Sequence, residues 1–285
     1  MQKWKLISLA VVIIILLVVI VLPRIAKVFF IKQAEASANS LLKDRDVQSS
    51  TPIDKNDIKD LPSPVQKWLI NSNAIGRERI NTVRLKQDGQ MRTKKDGPWM
   101  PVKAEQYFTV DEPGFVWIAE VRMAPLVHLS GIDTFKSGKG SMKIKLFSLI
   151  PVVNANAAEL DSGTLMRYLA EMPWFPSAAL GSNITWEEVD QQSAKATISY
   201  KGISVSGIFT FNENGDIESF KGKRYREMNG KYQLNDWGGR YKGIKEFDGW
   251  RIPFKSTVIW YEEDGEFNWF EFSISEIEYN NPAIY

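Results

Sequence analysis

Residues 203–215 read ISVSGIFTFNENG. Val205, Phe209 and Phe211 alternate with Ser204, Ser206 and Thr210. That period of two places the apolar set on one face of a strand and the hydroxyls on the other. The run stops at Asn214-Gly215, a dipeptide that supplies the positive φ of a tight hairpin turn. Asn229-Gly230, Asp248-Gly249 and Asp264-Gly265 follow at spacings of 15, 19 and 16 residues, with aromatic and β-branched segments between them. This rhythm predicts an antiparallel meander. Upstream, strand-like runs cover Thr82–Thr93, Trp99–Val110, Phe115–Met123 and Gly140–Val153, separated by Asp88-Gly89, Asp96-Gly97 and Asp111–Gly114.

Two segments break the β pattern. Ser63 and Pro64 suit a helix start, and Val65, Trp68 and Leu69 then share one face. In SGTLMRYLAEM (162–172), Leu165, Tyr168, Leu169 and Met172 form an apolar stripe. Asp161 or Ser162 is the expected N-cap, and Pro173 and Pro176 end the helix. The expected fold is mainly β (α+β): a curved antiparallel sheet or half-barrel with one or two helices against its concave face, plus one N-terminal transmembrane helix. A sheet incompletely covered by a helix leaves an apolar groove suited to hydrophobic ligands. The other outcome is a groove filled by its own aromatic side chains.

The transmembrane expectation rests on Leu6–Leu22, LISLAVVIIILLVVIVL, which has no charged residue. As a helix it would cover roughly 25 Å of a hydrocarbon core about 30 Å thick. The small-residue sites Ala34-Glu-Ala36 and Ala36-Ser-Ala38 lie well past this run, so an uncleaved anchor is expected rather than a signal peptide. Lys3 and Lys5 precede the span; Arg24, Lys27 and Lys32 follow it. That near-balance does not fix the orientation. The chain divides into a tail (1–5), the anchor (6–22), a stalk and polar linker (23–60) and one β domain (61–285), with residues 24–43 read as an interfacial helical stalk.

Composition excludes several functions. The formal net charge is +2, but residues 1–32 carry five basic and no acidic residues, which leaves the remainder at −3. A mildly acidic domain does not offer the basic face that nucleic acid requires, so no nucleic-acid partner is expected. With no cysteine and the single histidine His128, disulfides, thiolate catalysis and multi-histidine metal sites are ruled out. No cofactor is expected.

Few residues suggest chemistry. Gly138-Lys139-Gly140-Ser141 lacks the spacing of a phosphate loop and reads as a turn. His128, flanked by apolar residues, has Asp133 nearby but no nucleophile motif, and reads as structural. Glu159, Asp161, Arg167 and Glu171 cluster in sequence, and Arg167 and Glu171 stand at i, i+4. Two carboxylates beside an arginine suit acid–base work or recognition of a polar head group; equally, they form a solvated helix face. Trp174-Phe175-Pro176 forms either an aromatic lip or the packing of a helix end.

The blocks LPSPVQKWL (61–69), VRLKQDGQMRT (83–93), WMPVKAEQYF (99–108), LMRYLAEMPWFPSAAL (165–180) and ATISYKGISVSGIFTFNENG (196–215) resemble a bacterial, often membrane-anchored family of unknown function. Its domain is similar to the half-barrel of LolA-like periplasmic lipoprotein carriers. The resemblance implies an extracytoplasmic domain at the cell membrane that binds acyl chains or another apolar molecule. By match to the family block, Arg167, Glu171 and Trp174 are carried over as candidate ligand-binding residues, with Tyr168 in the same block and Glu159 just upstream of it. Around Asp133 the family carries an arginine and a tyrosine where this chain has Ile132 and Phe135, which argues against a polar site there. The functional expectation is a membrane-tethered binding module for a lipid or other apolar ligand. The alternatives are an envelope hydrolase using Glu159 or Glu171 with Arg167, and a structural, partner-binding domain with a filled core.

Overall fold

The computed structural model describes residues 3–5, 7–8, 21–43 and 51–285. Most of the expected span Leu6–Leu22 lies outside the described residues. Among those described, no helix is long and apolar enough to cross a membrane.

Thirteen strands form one sheet in the order β6-β5-β4-β3-β2-β1-β13-β12-β11-β10-β9-β8-β7. In chain order they are β1 (Thr82–Met91), β2 (Met100–Thr109), β3 (Gly114–Ala124), β4 (Val127–Lys136), β5 (Lys139–Leu146), β6 (Ile150–Ala155), β7 (Ile184–Asp190), β8 (Ser193–Tyr200), β9 (Ile203–Phe211), β10 (Ile217–Met228), β11 (Lys231–Phe247), β12 (Trp250–Glu262) and β13 (Gly265–Tyr279). The order describes two antiparallel meanders joined where β1 pairs with β13. The expected hairpin at Asn229-Gly230 has φ of 53° and 75°, and that at Asp248-Gly249 has 46° and 77°. Ser137-Gly138, at the start of the segment Gly138–Ser141 that read as a turn, is another such turn. The sheet differs from expectation in three places. Asp88-Gly89, read as a separator, lies within β1, paired with Ser273 and Phe272 of β13. Val127–Lys136, outside the strand-like runs, is strand β4. Gly140–Val153, read as one strand, is β5 and β6, folded at Phe147 and Ser148, both with positive φ.

Among the described residues from 21 onward, four α-helices accompany the sheet: α1 (Leu22–Leu42), α2 (Lys55–Ile58), α3 (Ser63–Asn71) and α4 (Ala158–Glu171). Helix α3 starts on Pro62, one residue before the expected cap, and buries Val65, Trp68 and Leu69 as its stripe requires. Residues 51–60, assigned to the linker, bring Ile53 and Ile58 into the main core, and Asp54 caps α2 with a reciprocal capping box. Helix α1 is docked along its C-terminal half and is not a free stalk. Phe30, Ala34, Ala38 and Leu41 pack on Tyr107, Val116 and Ile132. These side chains lie on the outer face of β2–β4, opposite in strand parity to Phe108, Phe115 and Asp133.

Helix α4 links the two open edges, β6 and β7, across the inner face. Acidic Glu159 and Asp161 in its first turn suit the helix dipole, and two short 3-10 turns, Met172–Trp174 and Pro176–Leu180, follow it. No side chain caps its start, which lies at Ala157. Asp161 instead accepts from the Gly140 backbone N–H at 2.7 Å and from Lys139 Nζ at 2.8 Å, tying the helix to β5. On the other half, Tyr241 donates to the Ala170 carbonyl and Arg224 Nε to that of Gly163.

Beneath this helix β11 passes close to β10 because residue 238 has no side chain. A Cβ there would sit 2.0 Å from the Phe220 carbonyl oxygen. Gly238→Ala is therefore expected to cost on the order of 1–3 kcal/mol by overpacking, read as a lowered urea midpoint at unchanged slope.

Candidate functional site

The inner face of β2, β3 and β4 presents Gln106, Trp117 and Asp133 side by side in register. Arg167 of α4 lies over this row. Its Nη1 donates to Asp133 Oδ2 at 2.7 Å and its Nε to Glu171 Oε1 at 2.8 Å. The guanidinium carbon is 4.9 Å from the ring centres of both Phe115 and Trp117. The second Glu171 oxygen accepts from Gln106 Nε2 at 2.8 Å, and Trp117 Nε1 donates to Gln87 Oε1 at 2.8 Å. The i, i+4 pair read from the sequence is thus a buried network.

Burial is the largest influence on both carboxyls and outweighs the attraction of Arg167, holding Asp133 and Glu171 above the ordinary carboxylate range. For Arg167 burial works the other way, but the two carboxylates more than offset it and raise its value. Arg224, on β10, has its guanidinium 4.8 Å from the Trp237 ring. Burial lowers its pKa to about 10, against the pull of Asp133, so it is cationic at neutral pH.

Between α4 and the sheet is a cavity of about 540 Å³. That is within the range of small-molecule sites, roughly 300–1,000 Å³. Its walls are mainly apolar: Trp174, Trp237, Trp260, Phe270 and Met100 stand among Ala119, Gly131, Ala170 and Gly239. Asp133, Arg167, Glu171 and Arg224 form one polar cluster in the lining, and Arg92, Thr93, Arg226 and Glu227 line the cavity elsewhere. Several polar atoms of the lining have no hydrogen-bond partner among the described residues: Asp133 Oδ1 and the indole N–H groups of Trp174, Trp237 and Trp269. Buried polar atoms ordinarily find partners, and these line a space large enough for a ligand to supply them.

The structure brings Arg167, Glu171 and Trp174 to this cavity and leaves two candidates out. Glu159 does not join the Arg167 network and lies near Tyr232. Tyr168 is core, packed on Phe108 and Phe175 with its hydroxyl donating to the Thr109 carbonyl at 3.1 Å. Trp174 is a buried wall, edge-on to Phe272 at 5.5 Å, and not an exposed lip. Asp133, where no polar site was expected, is at the centre, and Gln106 and Arg224 join it. The signal for Asp133 was present in the sequence: Leu129, Gly131, Asp133 and Phe135 share one face of β4, so the carboxylate interrupts an inward stripe. His128 is on the opposite face, 3.4 Å from Ser148 Oγ, which separates it from Asp133.

A family model matches residues 51–272. The chain belongs to DUF6544, a family of unknown function. The resemblance read from the motif blocks stands at that level. No curated protein matches it in sequence. Among solved structures, a LolA superfamily protein from Nitrosomonas europaea is similar at 9% identity and TM-score 0.41, covering 76% of this chain and 94% of that one. A DUF1329 family protein from Desulfovibrio piger is similar at 10% and 0.36, covering 70% and 86%. A beta-barrel-like protein of domain family DUF1849 from Brucella abortus follows at 7% and 0.24, covering 71% and 99%. None of these likenesses bears on a ligand, which has to be read from the cavity itself.

Removing the cation strands two buried carboxylates. Arg167→Leu is expected to lose about 3–5 kcal/mol at neutral pH. The loss shrinks in acid. Because their folded-state values are raised, Asp133 and Glu171 contribute most to stability below their ordinary values of 3.8 and 4.5, and that contribution falls as pH rises through the folded values. Urea unfolding of both proteins from pH 4 to 8 checks this: the gap between them should widen with pH.

Proposed function

We propose that this DUF6544 protein is a membrane-tethered module of the cell envelope that holds a lipid or other apolar molecule in the cavity under α4. The cavity carries the proposal. A filled-core domain would place side chains in this volume, whereas small residues line it: Ala119 and Gly131 face each other on β3 and β4. A Cβ at Gly131 would meet only Ile144 Cγ1, at 4.0 Å. The aromatic walls suit an apolar body, and the Asp133–Arg167–Arg224 end suits a hydrogen-bonding head. The tether rests on Leu6–Leu22, and the envelope location on the sequence resemblance.

Binding fits the polar groups better than hydrolysis. Both Glu171 oxygens are engaged, one by Arg167 and one by Gln106, and Glu159 is outside the network. Of the two carboxylates envisaged for a hydrolase, Glu171 thus meets Arg167 but with both oxygens engaged, and Glu159 does not reach it.

Gly131→Phe and Ala119→Phe fill the cavity from neighbouring strands. The full-length protein, released from detergent micelles into a native mass spectrometer, should retain one apolar molecule. Each variant should retain none while keeping or raising the melting temperature. A wild-type protein without any bound apolar molecule, or variants with the same adduct, would contradict the proposal.

A further inference from the structure

The cavity has an orientation. The turns after β1, β3, β5, β10 and β12 all lie at one end of the sheet. The lining residues beside those turns include exposed Thr93 and Glu227, whereas Asp133, Trp237 and Tyr241 farther along the strands are buried. The mouth is therefore at that end. At the other end α3 fastens to the turns after β9 and β11: Lys67 donates to the Glu213 carbonyl, Asn71 to that of Asn214, and Arg251 to that of Asn71.

Beside the mouth, two neighbouring turns expose apolar side chains. On the β3–β4 turn Met123 is 48% exposed and Leu126 94%; on β5–β6 Leu149, Ile150 and Val152 are 45%, 51% and 57% exposed. The turns adjoin, since Leu129 pairs with Leu146 across β4 and β5. Leu126 has φ of 66°, a conformation that glycine or asparagine adopts at lower cost, so an exposed leucine contributes nothing to this turn as folded. Arg122 and Lys143 flank the patch without an acidic partner among the described residues, a charge that suits anionic lipid.

Helix α1 points to the same end. Lys27 pairs with Glu120 near the end of β3, and Phe30 lies under Lys145, one residue before the end of β5. From Val21 to Phe29 no residue is buried, and Leu22, Ile25, Val28 and Phe29 are exposed. The apolar sequence Leu6–Leu22 runs directly into this half-helix.

We infer that the mouth end of the sheet rests on a lipid bilayer, with the Met123–Leu126 and Leu149–Val152 tips immersed in it, so that the cavity exchanges its ligand with the membrane without crossing water. The exchange step rests on the cavity being a ligand site; the immersion of the tips does not.

The chain has no cysteine, so single labels are unambiguous. Leu126→Cys, Ile150→Cys and, at the far end, Asp111→Cys are made in the full-length chain, labelled with an environment-sensitive fluorophore and reconstituted in phosphatidylethanolamine–phosphatidylglycerol vesicles. The labels at 126 and 150 should emit at shorter wavelength and be quenched by acyl-chain nitroxide lipids, and the label at 111 should do neither. Labels at 126 and 150 as water-exposed as that at 111 would overturn the inference. So would labels that are shielded yet not quenched by lipid, which would mean a second copy or another protein on the patch. Leu126→Asp with Ile150→Asp separates the two readings. Uptake of a fluorescent fatty-acyl probe from vesicles should slow several-fold at unchanged melting temperature, with uptake of the same probe from dilute solution unaltered. If neither protein takes up the probe from solution, the cavity reading fails, and the immersion of the tips is judged on the quenching alone.

Discussion

The Arg167 guanidinium is the constraint on which the inner face depends. It lies 4.9 Å from the ring centres of Phe115 and Trp117 and is bonded to two carboxylates, one from the sheet and one from its own helix. A cation of this kind is tolerated in an interior only when its charge is matched and its donors are used. Its geometry fixes where α4 crosses the sheet. The helix is fastened to β4 by Arg167, to β5 by Asp161 and to β10 and β11 by Arg224 and Tyr241. Held at both halves of the sheet, it spans the concavity instead of settling into it. The space left on one side of that span is the cavity.

Small residues keep the space open. Gly131, Ala119 and Ala170 occupy wall positions, and a Cβ at Gly131 would meet only Ile144 Cγ1, at 4.0 Å. Aromatic residues supply the rest of the wall with few polar atoms. In the proposed binding role the aromatic wall would take the apolar body of a guest, and Arg224 and Asp133 Oδ1 would meet its head.

The fold was legible in the sequence where local rules act alone. Asn-Gly and Asp-Gly turns set the C-terminal meander, and the alternation in residues 203–211 set its faces. The stripe from Leu165 to Met172 located α4. The reading failed where distant contacts decide. In β4, Gly131 and Asp133 break the apolar alternation because one lines a cavity and the other pairs with Arg167, so the strand did not look like one. In α1, the docking stripe is built on Ala34 and Ala38, whose small side chains carry little amphipathic signal. Glu159 was grouped with Arg167 by proximity in sequence, yet eight residues place it about two turns away and rotated to another side of the helix. Arg224 offered no local signal at all; only the pairing of β10 and β11 and the fastening of α4 bring it to the cavity.

Density in the cavity tests the central claim most directly. A high-resolution experimental structure of the full-length protein, purified from native membranes without delipidation, should show continuous non-protein density between Arg224 and the aromatic wall of Trp237, Trp260 and Phe270. A cavity collapsed onto its own side chains, or one holding only isolated waters, would contradict it.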